Sequence, residues 1–591
     1  MKGNILQTAS VDAAFLNRVG EAADQSVQAL LETHDADVAA LAHRPAMGRL
    51  LAMVTVITEP GSRFYGARFD GAGGLREPMS SCLDRLEQLQ GSTGLFDGTN
   101  LCSPPDSAFT LNDVCLALGL LRALDTPPDP VLAEVDARLS GIVSRATNAM
   151  VAGGVHTPNH RWELCAALAQ MDRLQPRPGI AERISEWLAE GIDQLPDGMY
   201  SERSPLYATA VTNPSLLAIA DSSGRPELLD HVRRNLTAFL PWFSPDGSVE
   251  SVFSRRQDQW MTFDAAPFLH LYRRMANQDG REDFAAAATW LEGLPLHEPA
   301  KLLALARLDP WLREALPGRT PAEGAPPSSD ISFHAAMAPA GAALESCGVY
   351  RFRGAGTVAT VFGGCDALEP GVVSGLATNP TFLRFAHGAA VLTDVRLSRS
   401  FFDLGPFRSQ HTEARGNAVT LSEELEANFY LPLPPQKRRA DGIYTLEHEG
   451  RFSAGMDFGS RPTVVHRLAT DIAVQADGGQ AVLDVSFDGA DTAFALELTF
   501  RPGGTLDGVV PLGGTGAFQL VEGMGRYGVG GDAIEFGPGL PAGPDTPAAY
   551  NPGESYRYLA GTNASGGVKV YITGRTRGSH RFTLRAVPRS S

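Results

Sequence analysis

The hydrophobic period of this 591-residue chain changes once, and that change constrains the fold more than any motif does. From about residue 10 to 315, apolar residues recur at three- and four-residue spacing, the mark of amphipathic helices. Ala13 to Leu31, Val38 to Val56, Ser81 to Leu89, Leu111 to Leu124 and Val131 to Met150 follow this pattern. Pro158 to Met171, Ile180 to Leu195, Pro205 to Ala220, Pro226 to Leu240, Phe263 to Ala276 and Arg281 to Leu291 continue it. Leu316 to Asp330 is rich in Pro, Gly, Ser and Ala and reads as a linker. Beyond it, short alternating runs such as Thr357–Phe362, Ala481–Phe487, Phe494–Phe500 and Val568–Thr573 are bounded by Gly, Asp and Pro, with no helical segment of comparable length between them. The pattern predicts an α+β multidomain protein. Residues 1–315 are expected to form an array of helical hairpins, an (α/α) incomplete toroid if the array curves on itself, 316–330 the linker, and 331–591 an antiparallel β-sandwich.

The helical half also repeats. Asp97-Gly98, Gly153-Gly154, Asp197-Gly198 and Asp246-Gly247 fall in equivalent-looking loops, with steps of 56, 44 and 49 residues. A period of about 50 is a helical hairpin plus its two loops, and it places these loops on one side of the array. The loops hold the unusual polar residues, including Asn100, Asp106, Asn159, His160, Glu202, Tyr207 and Arg255 to Asp258. One rim therefore collects the polar chemistry.

Composition narrows the function. A net charge of −17 argues against a nucleic-acid binder that works through a general basic surface, but leaves room for a local Arg/His cluster in a cleft. The six cysteines show no CxxC pair and no metal-ligand spacing; Cys115 and Cys165 lie in apolar helical patterns and read as buried thiols, so a disulfide framework is not expected. No stretch reaches the roughly 18 apolar residues of a membrane span. The first residues carry no apolar run of signal-peptide length, so a cytoplasmic location is expected for the chain as written, and a periplasmic or secreted one if a leader has been trimmed. No cofactor fingerprint or GxSxG elbow is present. A metal site from His156, His160 and Glu163 is not expected, because Pro158 interrupts the helix that would align the two histidines. Neither a metal nor a cofactor is therefore expected, and the oligomeric state is left open.

Two stretches carry the most chemistry. Gly153-Gly-Val-His-Thr-Pro-Asn-His-Arg-Trp-Glu and Asp197-Gly-Met-Tyr-Ser-Glu-Arg-Ser-Pro-Leu-Tyr each read as a loop feeding a helix. Thr157-Pro158 and Ser204-Pro205 supply a cap and a first-turn proline. Asn159, His160 and Tyr207 then sit in first turns, where backbone N–H groups and the helix dipole favour an anion. Each also has a plain reading: Asn159 as a cap, His160 as a satisfied polar residue, Tyr207 as a packing aromatic.

The Asn159-His160-Arg161 start and the Asp197-Gly-Met … Glu202 … Ser204-Pro-Leu-Tyr207 element resemble those of heparinase II/III-like polysaccharide lyases, as does the order of helical toroid and β domain. The interval from Asn159 to Tyr207 is 48 residues, and family members similarly separate the two elements by about fifty. Ala208 stands where many members have His after the tyrosine. The stretch Leu376 to Phe382 lacks the β-domain histidine of the family pattern; His387 and His411 are the nearby substitutes.

The resemblance implies β-elimination at a uronic acid of an anionic polysaccharide or oligosaccharide. Asn159 and His160 would neutralise the carboxylate as the C5 proton leaves, an oxyanion-hole role. Tyr207 would serve as base, as acid to O4, or as both, with His160 the base for the opposite stereochemistry. Arg255 and Arg256 suit a bidentate grip on carboxylate or sulfate, or are ordinary paired arginines. Glu202, Asn100, Trp260 and His411 are further substrate-binding candidates, and Glu163, at i+3, is a candidate to orient His160. Two other classes stay open: a glycoside hydrolase using two of Asp106, Asp197, Glu202, Asp246 and Asp258, and a non-catalytic carbohydrate-binding protein.

Overall fold

The computed structural model describes residues 11–33, 38–66, 69–70, 74–97, 101–124, 129–318, 337–354, 356–366, 379–448, 453–552 and 565–587. Most of the expected linker and Asn100 lie outside these residues. The chain divides into two compact units. One runs up to Ser201 and takes in Pro205–Val249 and Phe263–Met337; the other holds Glu202–Ser204, Glu250–Thr262 and the chain from Ala338 onward.

The first unit is helical. Its main helices are α1 (Ala13–Glu32), α2 (His43–Thr58), α3 (Arg76–Leu89), α4 (Pro104–Arg122), α5 (Pro130–Ala152), α6 (Pro158–Leu174) and α7 (Ile180–Leu188). Next comes α8 (Pro205–Tyr207, a π turn at Ala208–Thr212, then Asn213–Ser223), followed by α9 (Leu229–Phe239), α10 (Leu269–Asp279), α11 (Glu282–Glu292) and α12 (Pro299–Leu308). Every second helix packs on its predecessor but one: α2 on α4, α4 on α6, α6 on α8. Their contact faces are apolar and buried, with Leu111, Val114 and Leu118 from α4 and Leu164, Cys165 and Leu168 from α6. No described helix is long and apolar enough to cross a membrane.

The end of the array is fastened to its start. Arg273 of α10 is fully buried. It donates to Asp12 Oδ2 at 2.9 Å, to the carbonyls of Leu312 at 2.8 Å and Glu314 at 2.7 Å, and to Glu292, while its guanidinium lies 3.8 Å from the Phe15 ring centroid. A buried arginine is tolerated only when its donors are taken in this way.

The repeated turn exists at two of the expected Asp-Gly pairs, Asp197-Gly198 and Asp246-Gly247, while in the first loop it falls at Gly94. Gly94, Gly198 and Gly247 are its equivalents, with φ of 86°, 95° and 85°. Each turn closes with the same backbone bond: Gly91 N to Leu95 O at 2.8 Å, Leu195 N to Met199 O at 2.7 Å, and Ser244 N to Ser248 O at 2.8 Å. In the first two, a glutamine side chain repeats as well: Gln90 Nε2 donates to Gly94 O at 2.7 Å, and Gln194 Nε2 to Gly198 O at 2.9 Å. A Cβ at Gly94 or Gly198 would fall 2.1 Å from Arg145 O of α5 or 2.6 Å from Arg234 O of α9, so in each case the helix after the next excludes any side chain there. Gly153 has φ −75° and simply ends α5.

The second unit is an antiparallel β-sandwich with one parallel pairing, Ala517–Gln519 beside Val568–Arg575. Among the described residues, one sheet has eight strands and the other nine. Central strands of the first are Gln480–Gly489, Thr463–Asp477 and Ala418–Tyr430; of the second, Val568–Arg575, Ala493–Phe500 and Ala390–Arg399. Alternate residues of both sheets, among them Leu421, Ile472, Leu483, Val395, Leu496 and Ile572, interdigitate in one buried core.

Candidate functional site

Asn159 is the second residue of α6 and is 2% exposed. The expected cap at Thr157 is replaced by another contact: its hydroxyl caps no backbone N–H and donates instead to Asn159 Oδ1 at 2.6 Å. Asn159 Nδ2 is left with no partner among the described residues. An unsatisfied buried donor costs ~1–3 kcal/mol. Folded chains keep such a group rarely, and a ligand that accepts from it is one reason to do so.

His160 follows, half-buried, with its ring edge-to-face on Phe109 at 6.1 Å and on His156 at 4.7 Å between centroids. The two histidines thus meet despite Pro158. Arg44 lies 3.8 Å from the Phe109 ring centroid and pairs with Asp106. The starts of α2, α4 and α6 therefore share one polar and aromatic neighbourhood. His43 is buried beside Thr110 Oγ1 at 2.6 Å, and burial, with Arg44 adding, pushes it down to about 4, so it is neutral near pH 7.

Glu163 does not orient His160. Its carboxylate accepts from Asn112 Nδ2 at 2.7 Å and from Ser215 Oγ at 3.0 Å. Burial pushes it up to about 7, against the pull of those two donors. The Ser215 bond ties α6 to α8.

The sequence reads Pro205 to Ala220 as one helix, but Pro214 prevents that. Its ring removes a donor and crowds the carbonyl four residues back. The chain opens into a π turn in which Asn213 N–H bonds to Ala208 O. Tyr207 and Ser215 are eight residues apart, which in an unbroken α-helix turns them about 80° away from each other. The extra residue taken up by the π turn returns them to one face, the face that Ser215 presents to Glu163. Glu163 shares its own face with Asn159 at i, i+4. Asn159 thus shares a face of α6 with Glu163, and Tyr207 a face of α8 with Ser215, the two residues that bond across the helices.

The other candidates behave differently. Glu202, Arg255, Arg256, Trp260 and His411 all belong to the second unit. Of the two readings kept for Arg255, the structure shows a paired arginine: its fork closes on Asp366, Nε to Oδ2 at 2.5 Å and Nη2 to Oδ1 at 2.9 Å. Arg256 pairs with buried Glu202 at 3.3 Å. Buried Asp258 accepts from Ser204 Oγ at 2.7 Å and from Ser254. Trp260 lies in a short 3-10 turn, Gln257–Trp260. His411 is exposed at the head of the edge strand His411–Arg415, and His387 ends Leu383–His387 with Nδ1 3.3 Å from Gly356 O.

Sequence reasoning missed Asp193. This loop residue accepts from Trp162 Nε1 at 3.0 Å, from Arg161 Nη2 at 3.2 Å and from Ser201 Oγ at 2.5 Å. It also missed the buried relay from Tyr200 Oη to Asn213 Oδ1, at 2.7 Å, and from Asn213 Nδ2 to Asn235 Oδ1, at 2.9 Å. A loop aspartate carries no signal by itself, although Asn213-Pro214 inside a helical run announces an irregularity.

No protein-family model matches this chain, and no curated protein matches it. Among solved structures, a chondroitin AC lyase of Streptomyces coelicolor A3 in complex with chondroitin sulphate is similar at 14% identity and a TM-score of 0.47, over 99% of this chain and 81% of that one. A mutant of the same lyase gives 13% identity and a TM-score of 0.45, over 99% of this chain and 80% of that one.

Proposed function

We propose that this protein is a lyase that cleaves a uronate-containing polysaccharide or oligosaccharide by β-elimination. The reading is carried by the buried Asn159 amide, whose Nδ2 has no partner among the described residues, at a helix start beside His160. Such a donor suits an acceptor that gains charge in the transition state, as a uronate carboxylate does when its neighbouring C5–H is removed. Tyr207, on the facing helix, takes the C5 proton and returns one to the O4 leaving group. His160 lends its imidazole to the carboxylate. The bond to O4 breaks as the C4–C5 double bond forms, so no water enters the product.

The hydrolase reading is less well supported, because each of its candidate carboxylates has a local task. Asp106 pairs with Arg44, Asp246 accepts from Ser248 N at 3.1 Å, and Asp197 from Met199 N at 3.4 Å. Glu202 and Asp258 are engaged as described above.

The test is absorbance in the near ultraviolet on a panel of heparan sulfate, hyaluronate, chondroitin, alginate and glucuronan. An unsaturated product is expected on at least one. New reducing ends without that absorbance would indicate hydrolysis, and binding without turnover a sugar-binding protein. Tyr207→Phe is expected to lower kcat by ~10²–10⁴-fold while leaving binding in place. A fully active Y207F would remove Tyr207 from the chemistry.

A further inference from the structure

We propose that Asp193 is a positioning residue that holds the Asn159-His160 end of α6 and the approach to Tyr207 in one register; the proposal rests on the lyase reading above. Its two carboxylate oxygens divide the work. Oδ1 accepts from Trp162 Nε1 at 3.0 Å and lies 3.2 Å from Arg161 Nη2, on the two residues that follow His160. Oδ2 accepts from Ser201 Oγ at 2.5 Å, and the Asp193 carbonyl accepts from Ser201 N at 2.8 Å. Ser201 lies four residues before Pro205, where α8 begins.

One side chain thus grips both stretches that carry the candidate chemistry. Trp162 is fully buried, and its ring lies 4.5 Å from the Arg161 guanidinium. The first turn of α6 therefore cannot roll about its axis without breaking the Asp193 bonds. Asn159 and His160 sit in that turn, so a roll would move the amide and the imidazole together. Arg161 has a second carboxylate in Glu190 at 2.8 Å, but among the described residues Glu190 makes no side-chain bond to the α8 side. Asp193 joins the two sides. Misplacement by about 1 Å can cost ~10²-fold in rate, which is the scale expected when the grip is released.

The experiment uses the full chain and the substrate on which the wild type forms unsaturated product. Asp193→Ala is expected to lower kcat ~10²-fold with KM within a few-fold, because binding energy survives while alignment is lost. Asp193→Asn should recover most of that loss: its carbonyl can still accept from Trp162, and its amide can donate to Ser201 Oγ. Tyr200→Phe is the control. It cuts the Tyr200–Asn213 bond in the same turn without touching the Asp193 grip, so thermal stability falls while kcat holds. Wild-type kcat in D193A would overturn the proposal, as would an equal loss of kcat in Y200F at a matched fall in Tm. A wild type that forms no unsaturated product on any substrate overturns the lyase reading, and this role for Asp193 with it.

Discussion

Two buried glutamates, one in each unit, respond to burial in opposite ways. Glu163 in the helical unit is 5% exposed and Glu250 in the β unit is 7% exposed. Burial raises both. Around Glu163 the hydrogen-bond donors are neutral, Asn112 and Ser215, with Lys301 acting at longer range and Asp113 opposing it; the group is pushed up to about 7. Around Glu250, Arg384 at 2.5 Å and Arg351 at 2.9 Å, with the Val252 N–H, outweigh burial and hold it at about 2. Neutral donors relieve part of the desolvation cost, whereas guanidinium pairs reverse it. The β unit's cluster is thus a closed structural device. The helical unit keeps a carboxylate that can change charge near neutral pH, one helical turn from Asn159.

Replacing Glu250 gives the largest expected effect. Glu250→Gln leaves Arg351 and Arg384 facing a neutral amide in a buried site, and should cost ~3–5 kcal/mol at pH 7. A folded pKa below the unfolded value means the stabilisation is full above about pH 4 and fades as pH falls toward about 2. Denaturant melts of E250Q and wild type should therefore converge in acid. A deficit that stays the same from pH 7 to pH 3 would show that the ion pairs are not its source.

Glu163→Gln should have a smaller effect, with the opposite slope. Here the folded pKa is raised, so the folded state holds the extra proton and the wild type is most stable below about pH 4. As pH climbs to about 7 the wild type loses about 3 kcal/mol that the glutamine variant keeps. Glutamine can accept from Asn112 and donate to the Ser215 hydroxyl, so the ties survive. E163Q should match wild type near pH 4 and exceed it at pH 8. A constant difference across that range would place the Glu163 proton elsewhere.

These contrasts show where sequence reading succeeds and where it stops. The switch from helical to alternating periodicity was legible because period is local, and the helix starts at Pro158 and Pro205 were legible because proline sets its own φ. The turn repeat matches the Asp-Gly pairs at Gly198 and Gly247 but falls on Gly94, not on Asp97-Gly98, in the first loop and is missing at Gly153; a helix many residues away supplies the carbonyl that excludes a side chain at Gly94 and Gly198. Which partner Arg255 takes was not legible, because Asp366, 111 residues on, sits in no motif. Helical spacing makes Glu163 a candidate to orient His160 and an unrelated glutamate alike, but Asn112 and Ser215 approach it from other helices. Long-range partners decide which polar residues are spent on structure, and spacing along one chain does not contain them.

Asn159→Ala gives the smallest expected change in stability and the sharpest test of the same comparison. In the β unit, removing a buried polar group strands its partners. In the helical unit, the Asn159 amide is the stranded group already. Deleting it removes an unsatisfied donor that costs ~1–3 kcal/mol and gives up the Thr157 bond, worth ~0.5–1.5 kcal/mol. The net is expected to run from a loss of about 0.5 to a gain of about 2.5 kcal/mol. Turnover should nevertheless fall ~10²–10³-fold, the range for one oxyanion-type donor. Stability from denaturant melts and kcat from absorbance separate the two. A stability loss of about 3 kcal/mol or more would mean that the amide has a structural partner, as the arginines around Glu250 do, and would remove the reason to read it as a substrate donor.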